Sequence, residues 1–102
     1  MFDRYEAGEQ AVLVHVDFTD EGAREDLAEL KMLVSSAGAN VLSVITCRRG
    51  TPQPKYFIGT GKAEEVAAEV RALGADVVIF NHALTPGQER NLERLFECRV
   101  LD

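Results

Sequence analysis

Four short runs of β-branched and apolar residues, separated by stretches of helical period, constrain this chain more than any other feature. Ala11 to Val16 (AVLVHV), Val41 to Thr46 (VLSVIT), Val77 to Phe80 (VVIF) and the shorter Arg99 to Leu101 read as buried strands. Between the first two, Leu27, Leu30, Val34 and Ala37 recur at helical spacing. Asp20 stands where a cap would start that helix and Gly38 where one would close it, which predicts a helix over about 21–37. A second helix is expected from Gly61 to Leu73, burying Ala63, Val66, Ala67, Val70 and Leu73. Glu64 and Glu65 would sit in its positive first turn, and Gly74 would end it. The third opens at Thr85-Pro86-Gly87-Gln88, where a threonine cap, a proline at the first helical position and a glutamine three residues on spell a capping box. Leu92, Leu95 and Phe96 then face inward.

Strand and helix alternate, and parallel neighbours need a crossover, so the pattern predicts a three-layer α/β domain. Its four-stranded sheet should be mostly parallel, in the order 2-1-3-4, with three helices on its two faces. With 102 residues, 46% hydrophobic, residues 1–102 make a single domain. No apolar run approaches the ~20 residues that span a bilayer. The opening MFDRYEAGEQ lacks the basic flank and apolar core of a secretion signal, so no membrane span and a cytoplasmic location are expected. Cys47 and Cys98 belong to no C-x-x-C and read as reduced, buried thiols.

Charge singles out one segment. Residues 1–40 hold nine acids and three bases, 64–102 hold eight and four, and 41–63 hold no acid and four bases: Arg48, Arg49, Lys55 and Lys62. A basic segment in a chain of net charge −6 suggests a local site for an anion, such as phosphate or an RNA backbone. In a parallel sheet the residues just past each strand gather on one edge, where open α/β sheets place ligands. Here these are Asp17, Arg48 and Arg49, and Asn81 and His82. The connection from Cys47 to Thr60 is long for a βα loop. Pro52 and Pro54 stiffen it, and Tyr56, Phe57 and Ile58 give it an apolar anchor. A partly ordered arm is expected, with a short added strand at Tyr56 to Ile58. Arg48, Arg49, Lys55 and Lys62 would meet phosphates, and Tyr56 would stack on a base.

Gly59-Thr60-Gly61-Lys62 resembles a phosphate-binding turn entering a helix. A Walker loop would need glycine where Tyr56 stands and a hydroxyl where Ala63 stands, and a dinucleotide fingerprint would need glycine at Glu64. Two readings stay open: a tight turn with a solvated lysine, or a nucleotide site formed by Gly59, Thr60, Gly61 and Lys62 with Asn81 and His82 nearby. His15, inside an apolar strand, reads as a hydrogen-bonded core histidine. Gln88 to Asn91 with Glu93, Arg94 and Glu97 read as the solvated face of the third helix or an interface to another domain. No catalytic or metal-ligand constellation assembles.

Three separated segments, PKYFIGTGKAEEV (Pro54 to Val66), NHALTPGQERNLE (Asn81 to Glu93) and VLD (Val100 to Asp102), are similar to the N-terminal domain of bacterial HflX-type GTPases. MFDRYEAGEQAVLVHV and LVSSAGA agree with them. The resemblance implies a cytoplasmic GTPase that binds the large ribosomal subunit and its rRNA and splits stalled or idle ribosomes. It implies that GTP and magnesium are held by a module beyond this domain, after a helical segment, so that no cofactor is expected within 1–102. The domain would also contact that GTPase module. The family's association with ATP use keeps the Gly59 to Lys62 turn in view as a second site.

Overall fold

The computed structural model describes residues 8–17, 23–48 and 53–102, with only the backbone at 23–26 and 48. The elements run β1 (Gln10–Asp17), α1 (Ala23–Ser36), β2 (Asn40–Arg48), α2 (Thr60–Leu73), β3 (Val77–Phe80), α3 (Pro86–Phe96) and β4 (Arg99–Leu101). The sheet has the order β2-β1-β3-β4, and all three pairings are parallel. The expected class, order and three helices are therefore what forms. Asp20, expected to cap α1, lies outside the described residues.

Handedness distributes the helices. The step from β1 to β2 runs one way across the sheet, whereas those from β2 to β3 and from β3 to β4 run the other way. Right-handed crossovers then place α1 on one face and α2 with α3 on the opposite face. The strand sequences are apolar at consecutive positions because both faces are covered. Val12, Val14 and Val16 of β1 join Val66, Val70, Leu92 and Phe96 beneath α2 and α3. Ala11 and Leu13 join Leu30, Val34, Val77 and Ile79 beneath α1.

Edge strand β2 carries an irregularity. Ala11 pairs with Val41 but Val12 pairs with Ser43, so Leu42 is the extra residue of a bulge. The bulge lets Ser43 turn toward α2, where its hydroxyl donates to Glu69 Oε2 at 2.8 Å. Val41 and Val44 pack toward the α1 side.

Helix ends follow the punctuation in the chain. Gly38 (φ 94°) and Gly74 (φ 70°) adopt the left-handed conformation that ends α1 and α2. Thr85 and Gln88 form the reciprocal capping box of α3, with Thr85 Oγ1 accepting from Gln88 N at 3.1 Å and Gln88 Oε1 from Thr85 N at 2.9 Å. Two expectations for α2 are corrected. The helix begins at Thr60, so its first turn holds no acid and Glu64 and Glu65 fall in the second. Leu73, expected in the core, is 43% exposed at the last residue of the helix, and burial along α2 ends with Val70.

Candidate functional site at the carboxyl edge

The loop before α2 contains a preformed turn. Gln53 and Phe57 exchange both backbone hydrogen bonds, at 3.0 and 2.9 Å, leaving Pro54, Lys55 and Tyr56 as its tip. A single antiparallel bridge thus replaces the added strand expected at Tyr56 to Ile58. The closure works because Phe57 adopts φ 68°. A non-glycine residue in that region costs on the order of 1–3 kcal/mol and persists where its surroundings over-determine it. Phe57 and Ile58 are buried, and the Phe57 ring meets Phe80 edge-on with centroids 6.4 Å apart and lies 5.7 Å from the His82 ring.

Helix α3 holds the same turn from beside it. Gln88 Nε2 donates to Gln53 O at 2.9 Å, and Asn91 Nδ2 donates to Lys55 O at 3.1 Å. Gln88 therefore caps its own helix with one amide atom and anchors the loop with the other. Asn91, read from sequence as part of a solvated face, is a loop contact. Lys55 is exposed, its Nζ 5.1 Å from the centroid of the half-buried Tyr56 ring. Stacking on one's own tyrosine stabilises such a cation modestly and orients it.

The other basic residues are placed less uniformly. Lys62 lies in the first turn of α2 and reaches Glu65 at 3.3 Å, the lysine side chain partly and the glutamate well exposed. Such a surface pair contributes roughly 0–1 kcal/mol and weakens with salt, so Lys62 can exchange its partner for another anion. Arg48 sits at the end of β2, paired through its backbone register with Asp17. Its side chain, and Arg49 altogether, lie outside the described residues.

Gly59 occupies the N-cap of α2 with φ −65° and ψ 155° and supplies no side-chain cap. A Cβ built on Gly61 would meet nothing within 4 Å. Gly61 therefore has open space above it and no backbone reason to be glycine. Thr60 and Gly61 are exposed at this helix start.

Asn81 and His82 are tied to β1. Asn81 Oδ1 accepts from Val16 N at 2.8 Å and its Nδ2 donates to Val16 O at 3.0 Å, so one side-chain amide pairs with both polar groups of a backbone residue. Strand β3 ends at Phe80, and this amide extends the β1–β3 ladder by one more pair. His82 Nε2 approaches Val16 O at 2.8 Å. A carbonyl only accepts, so Nε2 carries the proton. This clasp sits where the sheet order reverses, between β1 and β3, the position at which open α/β sheets form their crevice.

Beside the clasp lies a cleft of about 560 Å³, bounded by Glu29, Leu30 and Leu33 of α1, by Phe80 to Ala83, and by Asp102. Asp102 Oδ2 also accepts from Leu84 N at 2.8 Å, closing the loop that leads into α3. Nothing in the periodicity marked this cleft, because its walls come from residues as far apart in the chain as Glu29 and Asp102.

The two cysteines are free. Cys47 is buried, and burial followed by the nearby Asp76 and Glu93 carboxylates pushes the Cys98 thiol up to about 11. Burial foremost, with Asp102 and Glu93, raises the Glu89 carboxyl above its usual range. His15 is buried in the core, as expected, and its Nε2 has no hydrogen-bond partner among the described residues. Among the described residues, no group of three or more His, Cys, Asp or Glu could hold a metal ion, and no helix is long and apolar enough to cross a membrane.

Residues 24–102 match the family described as GTP-binding GTPase N-terminal. The chain is 65% identical over all 102 of its residues to the GTPase HflX of Escherichia coli K12, covering 24% of that protein. It is 36% identical over 84 residues to the GTPase HflX of Flavobacterium psychrophilum, covering 82% of this chain and 20% of that one. The chain thus spans about a quarter or less of the length of these curated relatives. A crystal structure of a mutation variant of SsGBP superimposes with a TM-score of 0.68 over 92% of this chain and 29% of that one, at 24% identity, a likeness of fold.

Proposed function

The chain belongs to the GTP-binding GTPase N-terminal family, and from that premise we propose that it is the ribosome-docking domain of a cytoplasmic GTPase that splits or rescues stalled ribosomes, with the large-subunit rRNA as its partner. GTP and magnesium belong, on this reading, to the part of the relatives outside the matched span. No residue of this domain is assigned to hydrolysis.

The observation that carries the proposal is the turn at Gln53 to Phe57. A loop that spends a left-handed phenylalanine and two side-chain anchors from α3 on holding its tip has no need of them as a mere connection. The tip presents a cation and a tyrosine ring side by side, the pair that meets a phosphate and an exposed base in single-stranded or looped RNA. It belongs to the acid-free segment of an otherwise acidic chain, which restricts polyanion contact to this region. Arg48 and Arg49 would extend the contact, with Lys62 leaving Glu65 for a phosphate. Sedimentation of full-length Arg48→Ala/Arg49→Ala protein with purified large subunits tests this. Weakened association is expected, and wild-type association at every salt concentration overturns the proposal.

A second reading has its own observation. The first-turn amides of α2 have no side-chain cap, and the space above Gly61 is open, as an ATP phosphate would require. Here Gly59, Thr60, Gly61 and Lys62 would bind phosphate. Asn81 and His82 would contribute only indirectly, since these side chains hold Val16. Titration with ATP and magnesium followed by amide chemical shifts separates the two. Saturable shifts confined to 59–62 support the nucleotide site, and their absence removes it.

A further inference from the structure

The outer strip of α1 does not fit a solvent-facing surface. Met32 is 69% exposed and Leu33 53%, and both share a helix face with Glu29. Leu33 leads from that strip into the cleft, whose other walls include the polar Glu29, Asn81, His82 and Asp102, so an exposed apolar ridge and a concave site are continuous. The helices are also unevenly shared. Among the described residues α1 alone lies on its face of the sheet, whereas α2 and α3 cover the other.

Two facts indicate what covers this surface. Asp102 forms one wall of the cleft, so in a longer chain the polypeptide after it departs from the cleft itself. The matched relatives are longer by far, this chain covering 24% of the Escherichia coli protein, within a family named for the N-terminal part of a GTPase. A segment tethered at the rim samples the cleft at an effective concentration of order millimolar, which no diffusing partner matches at cellular abundance. We propose that the stretch of the full-length protein following Asp102 folds back over α1, seating apolar side chains on Leu33 at the mouth of the cleft and covering Met32. The interface fixes the domain relative to the rest of the protein. A rigid mount of that kind would let a contact at the Lys55–Tyr56 tip bear on the distant module.

Maleimide labelling of the full-length Leu33→Cys protein, read residue by residue by mass spectrometry, tests the proposal. Position 33 is exposed in the domain, so the substitution leaves the fold intact. Native labelling is expected at least about tenfold slower than in denaturant, since modification must await local opening of the cover. The protection should be unchanged on dilution. Native and denatured rates within about threefold would mean a bare face and overturn the proposal. Protection that vanishes on dilution would mean that a second copy, rather than the same chain, is the occupant, and would overturn it equally. Full-length Leu33→Glu supplies a second readout. Limited proteolysis should then cut just after Asp102 faster than in the wild type, and an unchanged cleavage rate there counts against the cover.

Discussion

Replacing Asn91 by alanine isolates the role of the preformed turn. The substitution changes no charge and removes one hydrogen bond, from Asn91 Nδ2 to Lys55 O at 3.1 Å, near the solvent-exposed side of the loop. Such a bond contributes about 0.5–1.5 kcal/mol net, and water can replace it at an exposed carbonyl, so the global fold should lose no more than the low end of that range. The local effect is larger in proportion. The tip keeps its Gln53–Phe57 closure and the Gln88 anchor but loses the side chain that orients the Lys55 carbonyl. If binding needs the ordered tip, re-ordering it costs up to the same 0.5–1.5 kcal/mol, which lowers affinity for the large subunit about two- to tenfold. The slope of log affinity against log salt should stay at its wild-type value, because every cation that meets a phosphate is still present. Sedimentation or filter binding across a salt series measures both quantities. Unchanged affinity would refute the reasoning that order at the tip is used, and a flattened slope would refute its separation from charge.

Gly61→Ala should stabilise the domain by about 0.4–1 kcal/mol in denaturant titration, since the site is helical with open space for the methyl. Asn81→Ala should destabilise by about 1–3 kcal/mol, as Val16 N–H loses its acceptor in a part-buried setting. The Cys98 thiol, raised to about 11 from an ordinary 9.0, makes stability fall between those two pH values. Above pH 9 the unfolded chain releases this proton while the folded chain keeps it, so the unfolded state binds fewer protons and stability declines as pH rises. Thermal midpoints of the wild type and Cys98→Ala should diverge in that window, the wild type losing more.

Sheet order and helix placement were legible because their causes are local. Consecutive apolar residues in Ala11 to Val16 mark a strand covered on both sides, and Thr85-Pro86-Gly87-Gln88 carries its own capping geometry. The candidate site was legible only as composition. Asn91 reaches Lys55 across 36 residues and Gln88 reaches Gln53 across 35, and no periodicity encodes such a reach. Asn81 and His82 were correctly found at the sheet edge, but the backbone atoms they hold belong to β1, 65 and 66 residues away. The Lys62–Glu65 pair was within view at a spacing of three residues. It escaped because the acid-free stretch ends at Ala63, and a count by segments ignores the next helical turn.

The claim beneath the docking assignment is that Lys55, held at the tip of a rigid turn, meets an RNA phosphate. The most direct measurement is the salt dependence of large-subunit binding by full-length Lys55→Ala protein beside the wild type. The account predicts weaker binding and a slope lower by about 0.7–0.9, the change that follows when a single phosphate is no longer neutralised. Binding and slope indistinguishable from the wild type would contradict it.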